Sequence, residues 1–171
     1  ESLARAAAHH LGQGTTSTVA GVVTDRPEAM AAAVANAADA VQKGLVAGVH
    51  VEGPFLASSR CGAQDPRQLR PPDVGLAREL VAAGRGHVRV MTLAPELPGA
   101  EQVTRLLLEH GVVPAVGHTE AEAGLVRRTL AATREALGRP GLVTHLFNGM
   151  PPLHHRSPGP VAGALGAAVA G

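Results

Sequence analysis

The chain has 171 residues, 45% of them hydrophobic, which is enough for one domain with a real core. Fifteen basic and fourteen acidic side chains leave a net charge of +1. With no basic stripe left over, nucleic acid and anionic membrane surfaces are excluded as partners. The single cysteine, Cys61, excludes an internal disulfide and fits a reducing, cytoplasmic compartment. No signal peptide and no apolar run of membrane-spanning length is visible. Fourteen of the fifteen basic residues are Arg, and Phe55 and Phe147 are the only aromatics, so the core must be built from small aliphatic side chains. The chain opens at Glu1 without an initiator Met and stops at Gly171 inside the apolar run Val161–Ala170. Natural termini are usually polar and surface-lying, so both ends are expected to be cut, with residues 1–171 the central part of a larger catalytic domain.

In chain order, strands and helices alternate. A first apolar run, Ser17–Asp25, is followed by Pro27–Val41, which opens with Pro and Glu in its first turn as helices do. The second run, Gly44–Pro54, precedes Asp73–Ala83, where Val74, Leu76, Ala77, Leu80 and Val81 keep helical spacing up to Gly84. The third, His87–Glu96, precedes Gly99–His110, with Val103, Leu106 and Leu107 on one face. The fourth, Val112–Thr119, leads into a helix over Glu120–Leu137 ended by Gly138, and the fifth is Gly141–Asn148. Continuous apolar character predicts strands covered on both faces. Strands recurring with helices between them predict an α/β fold of parallel βαβ units.

Two architectures satisfy that pattern, a doubly wound sheet and a (β/α)8 barrel. No GxGxxG or P-loop follows any strand, which removes the usual reason for a nucleotide-binding sheet. Asp25, Glu52, Glu96, His118 and His145 each fall at or near the C-terminal end of a different predicted strand, where barrel enzymes carry their chemistry. A whole barrel takes about 250 residues, so the expectation is a partial TIM-type barrel of about five βα units.

Glu52, His118 and His145 are residue types that bind a divalent transition metal. Their wide spacing rules out a finger or a helical HExxH motif and suits a site assembled from three strand ends. Three protein ligands and an open position describe a catalytic metal. Taken singly, a strand-end His is more often a hydrogen-bonding residue, and a Glu before Gly-Pro is ordinary turn chemistry. His50, two residues before Glu52, points to the same side of its strand and lines the same cavity. His9, His10, His87 and His110 read as surface residues.

The motifs carry a resemblance. Val49-His50-Val51-Glu52-Gly53-Pro54-Phe55, Thr92-Leu93-Ala94-Pro95-Glu96, Val116-Gly117-His118-Thr119 and the long segment from Thr144 to Arg156 (THLFNGMPPLHHR) occur in this order. Together they resemble the N-acetylglucosamine-6-phosphate deacetylases of the amidohydrolase superfamily, from about Gly12 to the end. The resemblance implies one divalent metal, zinc or iron, on Glu52, His118 and His145, with a second metal possible. It implies hydrolysis of the acetamide of N-acetylglucosamine 6-phosphate to glucosamine 6-phosphate and acetate. It places Ala63, Asn148 and Gly149 on the substrate and makes Arg156 the phosphate-binding arginine, able to serve the neighbouring subunit of a homodimer. Taken alone, Asn148 reads as a turn former and Arg156 as a solvated charge. Gln64 stands where many relatives have His, Gly149 where they usually have Ala, and Cys61 falls in the same loop as Ala63. The family's catalytic Asp follows the second metal histidine, so no catalytic residue is expected in this chain and the isolated piece is expected to be inactive. Another amidohydrolase on the same metal scaffold, or a non-catalytic metal- or phosphosugar-binding relic, are the alternatives.

Overall fold

The computed structural model describes residues 2–169; Glu1, Ala170 and Gly171, and with them the two ends expected to be cut and the last residue of the apolar run, lie outside the described residues. Four strands, β1 (Val19–Val23), β2 (Gly48–Glu52), β3 (Val88–Leu93) and β4 (Val113–Val116), form one parallel sheet in the order β1-β2-β3-β4. Strictly sequential order distinguishes the two candidate architectures. A doubly wound sheet reverses its strand order at a switch point, whereas a barrel adds each strand beside the last.

Helices α2 (Pro27–Gln42), α3 (Val74–Ala83), α4 (Ala100–Glu109) and α5 (Ala123–Leu137) return the chain between strands, preceded by α1 (Ser2–Gly12) and followed by α6 (Gly159–Val169). Their starts follow local chemistry. Pro27 opens α2 in the first turn, and the Asp73 carboxylate caps α3 by accepting from the Leu76 amide at 2.7 Å. The helix expected from Glu120 begins only at Ala123: Glu122 is extended at φ −69° and ψ 152°, and the amides of Glu120 and Ala121 are bonded to the Glu96 carboxylate and the Thr119 hydroxyl in the turn before it. Gly138, with φ 62°, stops α5 in a left-handed cap.

Two expectations are corrected. The fifth strand, Gly141–Asn148, is reduced to a single parallel bridge between Val116 and Val143. Beyond it the chain turns, with His145 and Phe147 at φ 55° and 76° and the Asn148 amide bonded to the His145 carbonyl; a left-handed residue cannot continue an extended ladder. Coverage on both faces also fails for β1, whose residues alternate exposed and buried, with Val23 60% exposed. Among the described residues the four strands do not close, so the inner face of β1 meets no opposing strand.

The core lies between the sheet and the helices. Val49, Val51 and Met91 from the strands meet Met30, Val34, Leu80, Val103 and Leu107 from α2, α3 and α4, all fully buried. His50 and Glu52, alternating with the buried valines of β2, are left on the other face. A smaller cluster of Val116, Ala121, Val126, Leu130 and Ala164 holds α5 and α6 to the end of β4. The sheet therefore has one packed side and one side on which polar groups gather. No helix among the described residues is long and apolar enough to cross a membrane.

Candidate metal centre

Glu52 ends β2, His118 stands two residues beyond β4, and His145 follows the bridge at Val143. The ligand atoms of the three lie within 4.8 Å of one another. The Nε2 atoms of His118 and His145 are 2.9 and 3.1 Å from the same carboxylate oxygen, Oε1 of Glu52. The two rings meet edge to face with centroids 5.2 Å apart. Two ligands on one tetrahedral zinc lie about 3.4 Å apart for bonds near 2.1 Å, so this donor set fits such an ion with little rearrangement.

The electrostatics are those of an ion pair. The hydrogen bond from His118 is the largest influence on Glu52 and, with that of His145 and against burial, lowers its pKa to about 2. The His118 pKa is raised, chiefly by the same bond to Glu52, with burial opposing. His118 is also tied from behind. Its Nδ1 donates to the Arg60 carbonyl at 2.7 Å, which leaves the Nε2 lone pair of the neutral ring aimed into the site. The His118 side chain is 6% exposed and that of His145 48%, so the centre has a buried side and an open side.

Several further side chains surround the triad. Gln64 reaches back from its loop so that Nε2 donates to Glu52 Oε1 at 2.8 Å, while its Oε1 accepts from the Thr24 amide at 2.9 Å. His50 Nε2 contacts the Thr92 hydroxyl at 2.6 Å, and Thr92 contacts the Thr144 hydroxyl at 2.8 Å, a polar line across the sheet ending beside His145. Burial, above all, lowers the His50 pKa, with the Glu52 charge opposing. His50 thus lines the same cavity. Of the five polar strand ends, Glu96 turns to Thr119 and Glu120, and Asp25 accepts from the Arg26 amide at 2.7 Å, both apart from the triad. Of the four histidines read as surface residues, His9, His10 and His110 are exposed, whereas His87 is half-buried with its Nδ1 enclosed and unbonded.

The remaining candidates divide by position. The loop of Cys61 to Gln64 wraps His118: Gly62 packs beside Cε1, which brings the exposed Ala63 to the rim. Gly149 adopts φ 62° against the same ring, and a Cβ there would stand 3.2 Å from His118 Nδ1. That close approach and the left-handed φ make Gly the unstrained residue at this position. Asn148 is exposed beside it, and Arg156 is exposed in the segment before α6, its guanidinium 3.2 Å from the His155 ring. A separate cleft of about 620 Å³ between α5, α6 and the segment 140–146 is lined mainly by apolar residues.

No family model matches the chain. It is 33% identical over 160 residues to an N-acetylglucosamine-6-phosphate deacetylase of Bacillus subtilis, covering 90% of this chain and 39% of that one. It is 34% identical over 169 residues to an N-acetylgalactosamine-6-phosphate deacetylase of Escherichia coli O157:H7, covering 95% and 43%. A crystal structure of N-acetyl-D-glucosamine-6-phosphate deacetylase from Mycobacterium smegmatis superposes with a TM-score of 0.85 at 43% identity, over 94% of this chain and 41% of that one. A mutant of that protein has been solved in complex with N-acetyl-D-glucosamine-6-phosphate. The chain spans about two fifths of the length of these relatives. Sequence and fold agree over nearly the whole of it, and on that agreement the chain belongs to the N-acetylglucosamine-6-phosphate deacetylase family, as part of its amidohydrolase barrel.

Proposed function

We propose that this chain supplies the metal- and phosphosugar-binding part of an enzyme that hydrolyses the acetamide of N-acetylglucosamine 6-phosphate. The observation that carries the reading is the convergence of Glu52, His118 and His145 at the C-terminal end of a sequential parallel sheet. A divalent ion held there, zinc or iron on this donor set, supplies Lewis acidity to an amide carbonyl and lowers the pKa of water towards neutrality.

The chain's own residues set the conditions for that chemistry. Glu52 is kept ionised by its two histidines and oriented by Gln64. His118 is fixed in one tautomer by the Arg60 carbonyl, and Thr92 and Thr144 hold the floor of the site. Ala63, Asn148 and Gly149 line the rim and take the sugar and its phosphate, the first through its backbone and the other two beyond the bridge strand. Arg156, exposed and forked, suits a phosphate and reaches that of a neighbouring subunit in a homodimer. A second metal would need ligands beyond these three. Among the described residues no further carboxylate joins the triad, and the family resemblance puts the proton-transfer Asp after the second metal histidine. The phosphorylated substrate and the single cysteine fit a cytoplasmic enzyme of amino-sugar catabolism.

A second reading concerns the epimer at C4, because the relatives of comparable identity include N-acetylgalactosamine-6-phosphate deacetylases. Acetate release by the full-length protein that contains this chain, from both 6-phosphates and from unphosphorylated N-acetylglucosamine, tests both. Turnover of N-acetylglucosamine 6-phosphate alone, abolished by chelation and by His145→Ala, is the expected result. Preference for the galactosamine epimer would move the assignment to the second reading. A folded, metal-loaded protein inactive on all three would overturn the deacetylase reading and leave another amide or a binding role.

A further inference from the structure

His118 is the buried ligand of the triad, and its backbone lies in the left-handed region at φ 50°. A non-glycine residue stays there only when its surroundings over-determine it. Its carbonyl accepts from the Ala57 amide at 2.9 Å, and the following amide, that of Thr119, donates to the Gly149 carbonyl at 3.0 Å. The third restraint is Glu96, which lies beyond the end of β3 and has no contact with the triad itself. Its Oε2 takes the hydroxyl of Thr119, a side chain with no exposure, and its Oε1 takes the Glu120 amide at 2.6 Å. Thr119 Oγ1 then accepts from the Ala121 amide at 2.9 Å, so one carboxylate organises the whole turn that leaves His118.

The ring is restrained by a second route. The carbonyl that accepts from its Nδ1 belongs to Arg60, in the short 3-10 turn Ser58–Arg60. Arg60 is itself clasped by Glu120, with Nε 2.7 Å from Oε1, and Ser59 donates to the same oxygen at 2.8 Å. Glu120 closes the circuit: its amide is held by Glu96, while its carboxylate holds the turn whose carbonyl faces His118.

We propose that Glu96 and the Arg60–Glu120 ion pair are positioning residues for His118, the carboxylate setting its main chain and the ion pair setting its tautomer, so that Nε2 is the nitrogen presented to a divalent metal. The inference rests on the metal reading of the triad. It extends that reading to a carboxylate that contacts neither the metal ligands' donor atoms nor the substrate rim. Outer partners that orient a ligating imidazole are worth about 10- to 100-fold in metal affinity.

Zinc affinity measured by competition with a chromophoric chelator, together with ¹⁵N-histidine NMR of the metal-free protein at a pH where the rings are neutral, provides the test. Glu96→Ala is expected to lose about 10- to 100-fold in zinc affinity. Glu96→Gln, whose amide still accepts from the Glu120 N–H and can donate to Thr119 Oγ1, recovers most of that loss. Glu120→Ala, acting through a half-exposed pair, costs a few-fold only. In both alanine variants the His118 signal moves from the Nδ1–H pattern of the unaltered protein to a mixture of tautomers. A role confined to bracing the turn would lower the melting temperature and leave zinc affinity and the His118 signal of the folded protein unchanged, which overturns the proposal. Should the unaltered protein bind no zinc, the metal reading falls, and the ring signal alone decides the brace. If Glu96→Ala does not fold, Thr119→Val, which deletes one arm of the brace at constant shape, decides it by the same two readouts.

Discussion

Glu52 and His118 stabilise each other in opposite charge states, and this gives the metal-free protein a defined response to pH. The carboxylate, lowered from 4.5 to about 2, adds stability that is complete above 4.5 and is lost as pH falls through about 2. The imidazole, raised from 6.5, adds stability that is complete below 6.5 and is lost as pH rises through its raised value. The pair therefore favours folding most between about pH 4.5 and 6.5, and Glu52→Gln is expected to flatten both limbs of a plot of melting temperature against pH in chelator. Metal loading runs the other way, because the ligating imidazole must shed its proton. Apparent zinc affinity should rise from pH 6 to pH 8, followed by equilibrium competition, and Glu52→Gln should cost more than the roughly 100-fold upper range for losing an outer partner. The convergence of Glu52, His118 and His145 was legible in the sequence because residue type and strand-end position single them out. Gln64, Arg60 and Thr144 were not, because they act through contacts 12 to 58 residues away, and Arg60 through a main-chain carbonyl that no side-chain pattern reports.

At the scale of elements, α5 and α6 cross at Gly163, where a Cβ would stand 2.7 Å from the Ala123 carbonyl oxygen and 2.9 Å from its Cα. Both atoms belong to backbone and cannot move aside alone. Gly163→Ala is expected to destabilise by about 1–3 kcal/mol through overpacking, in spite of the better helix propensity of Ala. Gly166, one turn on, meets only the flexible Arg127 side chain at 4.0 Å, so Gly166→Ala should stabilise by about 0.5–1 kcal/mol. Urea midpoints of the two variants provide the comparison. The helices α2 to α5 were legible to within three residues, because their apolar spacing and end residues agree. The fifth strand was over-read: Gly141–Asn148 has strand composition, but the turn at His145 to Asn148 is set by tertiary contacts with His118 and its loop. The helix α1 was missed, since it buries no residue fully and offers only Leu3 and Ala7 to the core.

At the scale of the molecule, the proposed ligands tie together segments 93 residues apart in sequence, from Glu52 to His145. Metal binding to the folded state alone therefore stabilises the sheet as a unit. Zinc at a hundred times its dissociation constant should add about 2.7 kcal/mol, a rise of about 5–10 °C in melting temperature for a chain of this size, reversed by chelation in a thermal-shift titration. The barrel architecture was legible from where polar residues fall relative to strands, and the sequential strand order bears this out. The open inner face of β1 was not, because an uninterrupted apolar run such as VAGVV reads alike whether or not a second layer covers it.

The single bridge at Val143 leaves the proposed metal centre unequally supported. Glu52 and His118 are mounted on the four-strand sheet and its braced turn, whereas His145 follows a single bridge, beside the Thr92–Thr144 contact, and is half in solvent. Under the proposed metal reading, Glu52 and His118 would form the buried side of the site and His145 its open side. The lifetime of a bound ion would then depend on how the segment 143–148 is held as well as on the sheet beneath it.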